Sequence, residues 1–257
     1  MTADERLSLI LAKVERAKKH INDFDLAVRT WLFEANPYQV ATKRDPQTRE
    51  LIYYCPRVTP FPYEFATTVG DAIQNLRSAL DHLGTQLVIA NGKQPTRHTA
   101  FPIFDDLPRY EAESKRIVKG MRQDAIDAIK AVKPYKGGND NLWRLHRLNI
   151  VDKHRLLIAV GSVCGAHRVT PSVQRHLRKL WTDSQGSKPF PWEQLGSLMI
   201  STSAVRFPLQ TGDELLREPP DAEVYEQMQF TFDVAFNEPV IRRQSVRLTL
   251  RFLREAV

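Results

Sequence analysis

The chain is poor in cysteine and has no long apolar run. Its 257 residues include two cysteines, Cys55 and Cys164, which cannot build a disulfide framework and have no second cysteine nearby to help bind a metal. The apolar runs are far shorter than the roughly 18 residues that a membrane span needs. The first residues, Met1 to Arg6, lack the basic segment of a secretory signal. We therefore expect a reduced, cytoplasmic protein with no membrane partner.

Several signatures of catalysis are also absent. The run from Lys136 to Asn139 lacks the Gly-Lys-Ser/Thr ending of a phosphate-binding loop, and neither a Gly-x-Ser-x-Gly elbow nor a Cys-x-x-Cys pair occurs. Histidine and aspartate could still bind zinc or iron, but His146 and His154 lie two helical turns apart, too far to share one ion easily. We therefore expect no metal and no cofactor.

Positive charge is concentrated in the middle third of the chain. Residues 101–182 carry 16 basic and 8 acidic side chains, whereas residues 1–100 carry 13 and 11 and residues 183–257 carry 8 and 11. A basic surface of this kind predicts a nucleic acid or another anionic partner. The alternative is a basic surface that contacts only solvent. The sequence leaves open whether the protein forms a homodimer. The predicted binding residues in this region include Lys153, Arg168, Arg175, Arg178 and Lys179.

The periodicity of apolar residues predicts an α+β protein. Residues 1–182 are predicted to form a helical bundle with a β-hairpin inserted at about 38–55, because helical spacing dominates there. Residues 183–257 are predicted to form a small antiparallel β unit, since apolar and polar residues alternate from Glu226 to Phe236. The last segment has both spacings, and we expect a C-terminal helix there.

The most informative stretch runs from Asp140 to Ile158. It has helical periodicity, but Asn149 and Asp152 occupy positions in the apolar stripe, where a polar group needs a partner. The helix predicted over Glu64 to Ala90 carries Arg77, Asp81 and His82. If the two helices pack antiparallel, we expect these residues to meet His146, Asn149, Asp152 and His154. The cluster is then either a structural polar network or a binding site that includes Asp81, His146, Asn149 and Asp152.

Two runs carry a resemblance to known proteins. The segments Asn75–Leu83 and Ala128–Arg155 resemble a widespread family of bacterial proteins to which no reaction is assigned. The resemblance covers about residues 64–160. It implies a bacterial or phage-related source and contributes no catalytic residue.

A looser resemblance concerns the spacing of arginine and histidine. Arg77-x4-His82 and Arg147-x6-His154 are similar to the Arg-x(4–6)-His signature of HEPN ribonucleases, which are helical bundles. That resemblance implies catalysis without a metal, in which histidine moves the proton of a ribose 2′-hydroxyl and arginine stabilises the charged phosphorane. With 24 arginines and seven histidines in the chain, chance alone predicts about two such spacings. The spacing by itself therefore does not indicate catalysis, and only the placement of these residues on bundle helices favours it. The two hypotheses are therefore a binding or structural module with a basic surface and a HEPN-like ribonuclease.

Overall fold

The protein is described by a computed structural model, which covers residues 2–157, 159–167, 179, 181, 183, 205–224 and 228–257. It is an α+β protein, as its sequence predicts. The chain divides into two compact units that each combine distant segments. The first comprises Met1–Val28, Pro62–Ala159 and Phe236–Val257, and the second comprises Arg29–Phe61 and Val160–Ala235.

The first unit contains mainly helices. They are α1 (Ala3–Glu34), α2 (Tyr63–Ala90), α3 (Leu107–Ile117), α4 (Gln123–Ala131), α5 (Asp140–His154) and α6 (Val246–Glu255). The end of α1, from Arg29 onward, belongs to the second unit. Apolar residues at helical spacing face inward, and α2 buries Val69, Ile73, Leu76 and Leu80 as its regular seam predicts. The expected C-terminal helix is therefore present as α6, which buries Val246, Leu250 and Leu253.

Helices α2, α5 and α6 pack against one another. Helix α5 lies antiparallel to α2, because Asp152 near its end approaches Gly70 while His146 lies near Arg77. The segment before α6 is fastened to the end of α5 by a bidentate ion pair, with Arg155 Nη1 and Nη2 at 2.9 and 2.7 Å from the two carboxylate oxygens of the fully buried Glu238.

The second unit contains the predicted hairpin. Strands β1 (Tyr38–Arg44) and β2 (Leu51–Val58) pair antiparallel, and β4 (Glu214–Glu218) pairs antiparallel with the other edge of β2. A second sheet pairs β3 (Ala159–His167) with β5 (Gln229–Phe236). The core of this unit gathers buried residues of both early and late segments, including Tyr38, Leu51, Tyr53, Cys55 and Leu215.

This division differs from the one expected at residue 183. The hairpin at residues 38–55 is part of a sheet whose third strand comes from more than 150 residues later, and α6 returns to the helical unit. The third strand is β4, which pairs with β2.

Helix α5 is shorter than the stretch with helical periodicity. Asn139 caps its start, since the Leu142 backbone N–H donates to Asn139 Oδ1 at 3.2 Å, while Asp140 Oδ1 accepts from the Gly137 N–H. The helix ends at His154 rather than Ile158. In the part of the chain that the structure describes, no helix combines the length and the apolar character needed to cross a membrane.

Candidate functional site

Arg77 and Asp81 hold a loop against α2. Arg77 Nη2 lies 2.9 Å from Asp81 Oδ1 and donates to the carbonyl oxygen of Phe101 at 2.9 Å, while the Phe101 N–H donates to Asp81 Oδ1 at 3.1 Å. The loop backbone comes so close to α2 that a Cβ on Gly84 would lie 2.7 Å from the carbonyl carbon of Ala100. Because Arg77 is only 7% exposed and both of these interactions are internal, its place in the fold is structural.

His146 lies on the inner side of α5, near Arg77. Its Nδ1 and the Nη1 of Arg77 are both buried and have no hydrogen-bond partner among the described residues. Burial lowers the pKa of His146 to about 4, and the positive charge of Arg77 acts in the same direction. The imidazole is therefore neutral at physiological pH.

Asn149 and Asp152 lie at the contact between α5 and α2. Asn149 is buried, at 4% exposure, and Asp152 is half-buried. The Asp152 carboxylate fills the space above Gly70, where an added Cβ would meet Oδ1 at 2.4 Å. Burial raises the pKa of Asp152, and so does the negative charge of Asp71. The expected contact between the two helices is thus confirmed, and these polar side chains lie within it.

The two predicted arginine and histidine pairs have different surroundings. His82 is exposed while Arg77 is buried, so the first pair does not form one accessible site. Arg147 keeps 40% of its side chain exposed and His154 is exposed at the end of α5. Because α2 and α5 run antiparallel, His82 and His154 lie towards opposite ends of the helix contact, and the two pairs do not converge.

The predicted basic residues are only partly described. Lys153 and Lys179 are exposed, whereas Arg168, Arg175 and Arg178 lie outside the described residues. Within the described ranges, no group of three or more His, Cys, Asp or Glu side chains is arranged to hold one metal ion.

The structure brings together five residues that no pattern in the sequence groups. Asp105 Oδ1 accepts a hydrogen bond from Trp143 Nε1 at 3.0 Å and lies 3.9 Å from Arg147 Nη1, and Asp105 Oδ2 lies 3.2 Å from Arg109 Nη1. Lys136 Nζ lies 5.0 Å from the centroid of the Trp143 ring, within the range of a cation–π interaction. We refer to Asp105, Arg109, Lys136, Trp143 and Arg147 as the Asp105 cluster.

The starts of two helices position this cluster. The segment before α3 and the segment before α5 are tied by backbone hydrogen bonds, from Phe104 N–H to the Pro134 carbonyl at 3.0 Å and from Lys136 N–H to the Phe104 carbonyl at 3.3 Å. Tyr110 packs between Phe104 and Tyr135, with ring centroids 6.0 and 5.5 Å away. Helix α3 therefore presents Arg109, and α5 presents Trp143 and Arg147, beside one short anchored loop.

The Asp105 cluster contains three basic side chains and one acidic side chain. The hydrogen bond from Trp143 is the largest of the effects that lower the pKa of Asp105, and Arg147 and Arg109 lower it further, so the carboxylate is ionised. Arg109 and Arg147 both approach this carboxylate, and Arg109 Nε also lies 3.9 Å from Glu113 Oε1. The neighbouring segment of residues 133–155 carries six basic and two acidic side chains. The basic side chains Arg109 and Arg147 are 59% and 40% exposed.

One face of α5 extends the cluster. Trp143, Arg147, Ile150 and His154 follow at intervals of four, three and four residues, which places them along one side of the helix. Arg147 and His154 are seven residues apart, or roughly 10 Å along the axis at 1.5 Å per residue. Trp143 and Ile150 are half-buried on this face.

Two spacings in the sequence are consistent with the cluster. Asp105 and Arg109 are four residues apart across the start of α3, and Trp143 and Arg147 are four residues apart within α5, where side chains at this spacing meet. Only the fold, however, brings the two pairs together.

Comparison with known proteins found no matching family model, no matching curated protein and no matching solved structure. The protein is therefore described by its own fold and site. It is an α+β protein in which exposed cationic side chains lie near an indole.

Proposed function

We propose that this protein binds single-stranded nucleic acid through the Asp105 cluster and the adjoining face of α5. The observation that supports this most directly is the grouping of three cations beside one indole. Lys136 lies over the ring of Trp143, and Arg109 and Arg147 approach the carboxylate that the Trp143 indole N–H binds. Arginine and lysine neutralise phosphates, and an aromatic ring next to them gives a base a surface to stack on.

A single strand suits this arrangement better than a duplex. The indole is half-buried and lies beside an anchored loop, so a base has to leave its stack to reach it. Bases of a single strand are free to do so, and their stacking on aromatic side chains is tolerant of sequence. We therefore expect slight sequence preference and a strong contribution from the phosphates.

The test is the anisotropy of a short fluorescein-labelled oligouridine titrated with full-length protein. The double variant Lys136→Gln/Arg147→Gln should weaken binding by about tenfold or more, because each charge-assisted hydrogen bond contributes roughly 1.5–3 kcal/mol and 1.4 kcal/mol is a factor of ten. The double variant Arg16→Gln/Lys130→Gln removes the same charge from exposed positions on α1 and α4 and serves as the matched control. Equal weakening in both variants would contradict a localised site, and absence of binding by the unmodified protein would contradict the function.

A second candidate function is metal-independent ribonuclease activity of the HEPN type through Arg147 and His154. It is favoured by one observation, namely that both side chains are accessible on the same face of α5 as Trp143, whereas Arg77 is buried. In that reaction His154 would take the proton of the 2′-hydroxyl, whose oxygen attacks phosphorus. The bond between phosphorus and the 5′-oxygen would break, the 5′-oxygen would take a proton from water, and Arg147 would stabilise the phosphorane charge.

The ribonuclease candidate has its own test. Labelled RNA is incubated with the protein in EDTA, and a new 2′,3′-cyclic phosphate end is the expected product. The variant His154→Ala should abolish cleavage while binding persists, and His82→Ala, on the exposed side of α2, is the matched control. Binding without any cleavage by the unmodified protein would reject this candidate and leave the binding function intact.

A further inference from the structure

We propose that Asp105 makes the cluster selective for RNA over single-stranded DNA by accepting a hydrogen bond from a ribose 2′-hydroxyl. This inference rests on the proposed binding of nucleic acid by the same cluster. It concerns the one acidic residue at the centre of the cluster, which a site built for phosphates alone would not need.

The charge of Asp105 is unfavourable for a bound phosphate. An ionised carboxylate only accepts hydrogen bonds, and it repels a phosphate that approaches the surrounding cations. A neutral donor on the ligand would turn this cost into a favourable interaction. In a nucleic acid strand the sugar hydroxyl is such a donor, and it distinguishes RNA from DNA.

The hydrogen bonds of Asp105 leave room for that donor. A carboxylate has about four acceptor positions on its two oxygens. Trp143 Nε1 uses one on Oδ1, and Arg109 Nη1 uses one on Oδ2. The Arg147 guanidinium stands farther away, at 3.9 Å from Oδ1. The side chain is 41% exposed, so a remaining acceptor position can face a ligand.

The two arginines approach different oxygens of the carboxylate. Arg109 lies beside Oδ2 and Arg147 beside Oδ1. A ribose above Asp105 would therefore have a cation on either side for its flanking phosphates. Trp143 holds the carboxylate in place between them through its indole N–H.

The experiment compares three labelled oligomers of one sequence, namely RNA, 2′-O-methyl RNA and DNA. Neither of the modified strands can donate from the 2′ position. The unmodified protein should bind RNA tighter than both by roughly three- to tenfold, the factor that one net hydrogen bond provides. Asp105→Asn keeps one acceptor oxygen, which can still accept from Trp143, and replaces the other oxygen by a donor, so the preference of RNA over the 2′-O-methyl strand should fall.

A second variant keeps the negative charge. Asp105→Glu moves the carboxylate by one methylene and should also reduce the preference for RNA, and thermal melts establish that each variant is folded. Equal binding of the three strands by the unmodified protein would overturn the inference while leaving the proposed function standing. A full preference retained in both folded variants would do the same. Failure of all three strands to bind would overturn the proposed function, and this inference with it.

Discussion

The indole N–H of Trp143 on α5 donates a 3.0 Å hydrogen bond to the carboxylate of Asp105, which lies just before α3. This single hydrogen bond joins two helix starts that are 38 residues apart in sequence. It also holds the negative charge of Asp105 between two arginine side chains, Arg109 and Arg147. The relationship therefore matters both for the stability of the first unit and for what its surface can bind.

Replacement of Trp143 by phenylalanine should remove this hydrogen bond and keep an aromatic ring. We expect the free energy of unfolding at neutral pH to fall by about 1 kcal/mol, the usual size for a partly exposed hydrogen bond. The pKa of Asp105 is lowered in the folded protein, and the hydrogen bond from Trp143 is the main cause. The stability that the ionised carboxylate provides is therefore complete above the ordinary aspartate pKa of about 4, and it is lost as pH falls through the pKa of the folded protein.

Urea unfolding of both proteins at neutral pH and at about pH 3 would measure this effect. The difference between Trp143→Phe and the unmodified protein should shrink at the lower pH. An unchanged difference would mean that the indole stabilises the fold by packing alone.

Removal of the Arg77 guanidinium should destabilise the protein without changing its binding of RNA. Arg77→Met removes the ion pair with Asp81 and the hydrogen bond to the Phe101 carbonyl, which should cost about 2–3 kcal/mol, less than a fully buried pair because Asp81 is partly exposed. The control is Arg122→Met, which breaks an exposed pair with Asp124. Urea unfolding and anisotropy titrations test both effects. A much lower RNA affinity in a fully folded Arg77→Met protein would contradict this prediction and show that Arg77 contributes to binding.

The stability of the protein should fall as pH drops from 7 towards 5, in part because of His146. Its pKa in the folded protein is about 4, below the ordinary value of about 6.5, so the unfolded chain binds a proton first. Arg77, Arg147 and Lys153 disfavour the charged imidazole, and Asp105 favours it.

The neutral variant His146→Gln should show a smaller decrease in stability over this range. The raised pKa of Asp152 acts in the opposite direction in both proteins and cancels in the comparison. Equal pH dependence in the two proteins would contradict this account.

The helices are largely predictable from the sequence, because their apolar stripes are regular. The polar residues Asn149 and Asp152 correctly indicate where α5 meets α2, since a polar group in such a stripe needs a special neighbour. The residue that caps α5 is less predictable, because Asn139 and Asp140 are both good capping residues and only backbone geometry separates them.

The division into units is less predictable. Pairing of β2 with β4 joins Leu51 to Glu218, and local periodicity contains no information on pairing over such distances. The Asp105 cluster cannot be predicted for the same reason. Asp105 and Lys136 lie in loops, where no periodic pattern indicates which side chains will meet.

The most direct test of the central claim is the salt dependence of RNA binding. The logarithm of the association constant should fall linearly with the logarithm of salt concentration, by about 0.7 for each phosphate neutralised on a single strand. In Arg147→Gln the slope should become shallower by roughly that amount for each phosphate that the variant no longer neutralises, while in Arg16→Gln it should stay unchanged. Binding that is insensitive to salt, or slopes that change equally in the two variants, would contradict phosphate recognition by the Asp105 cluster.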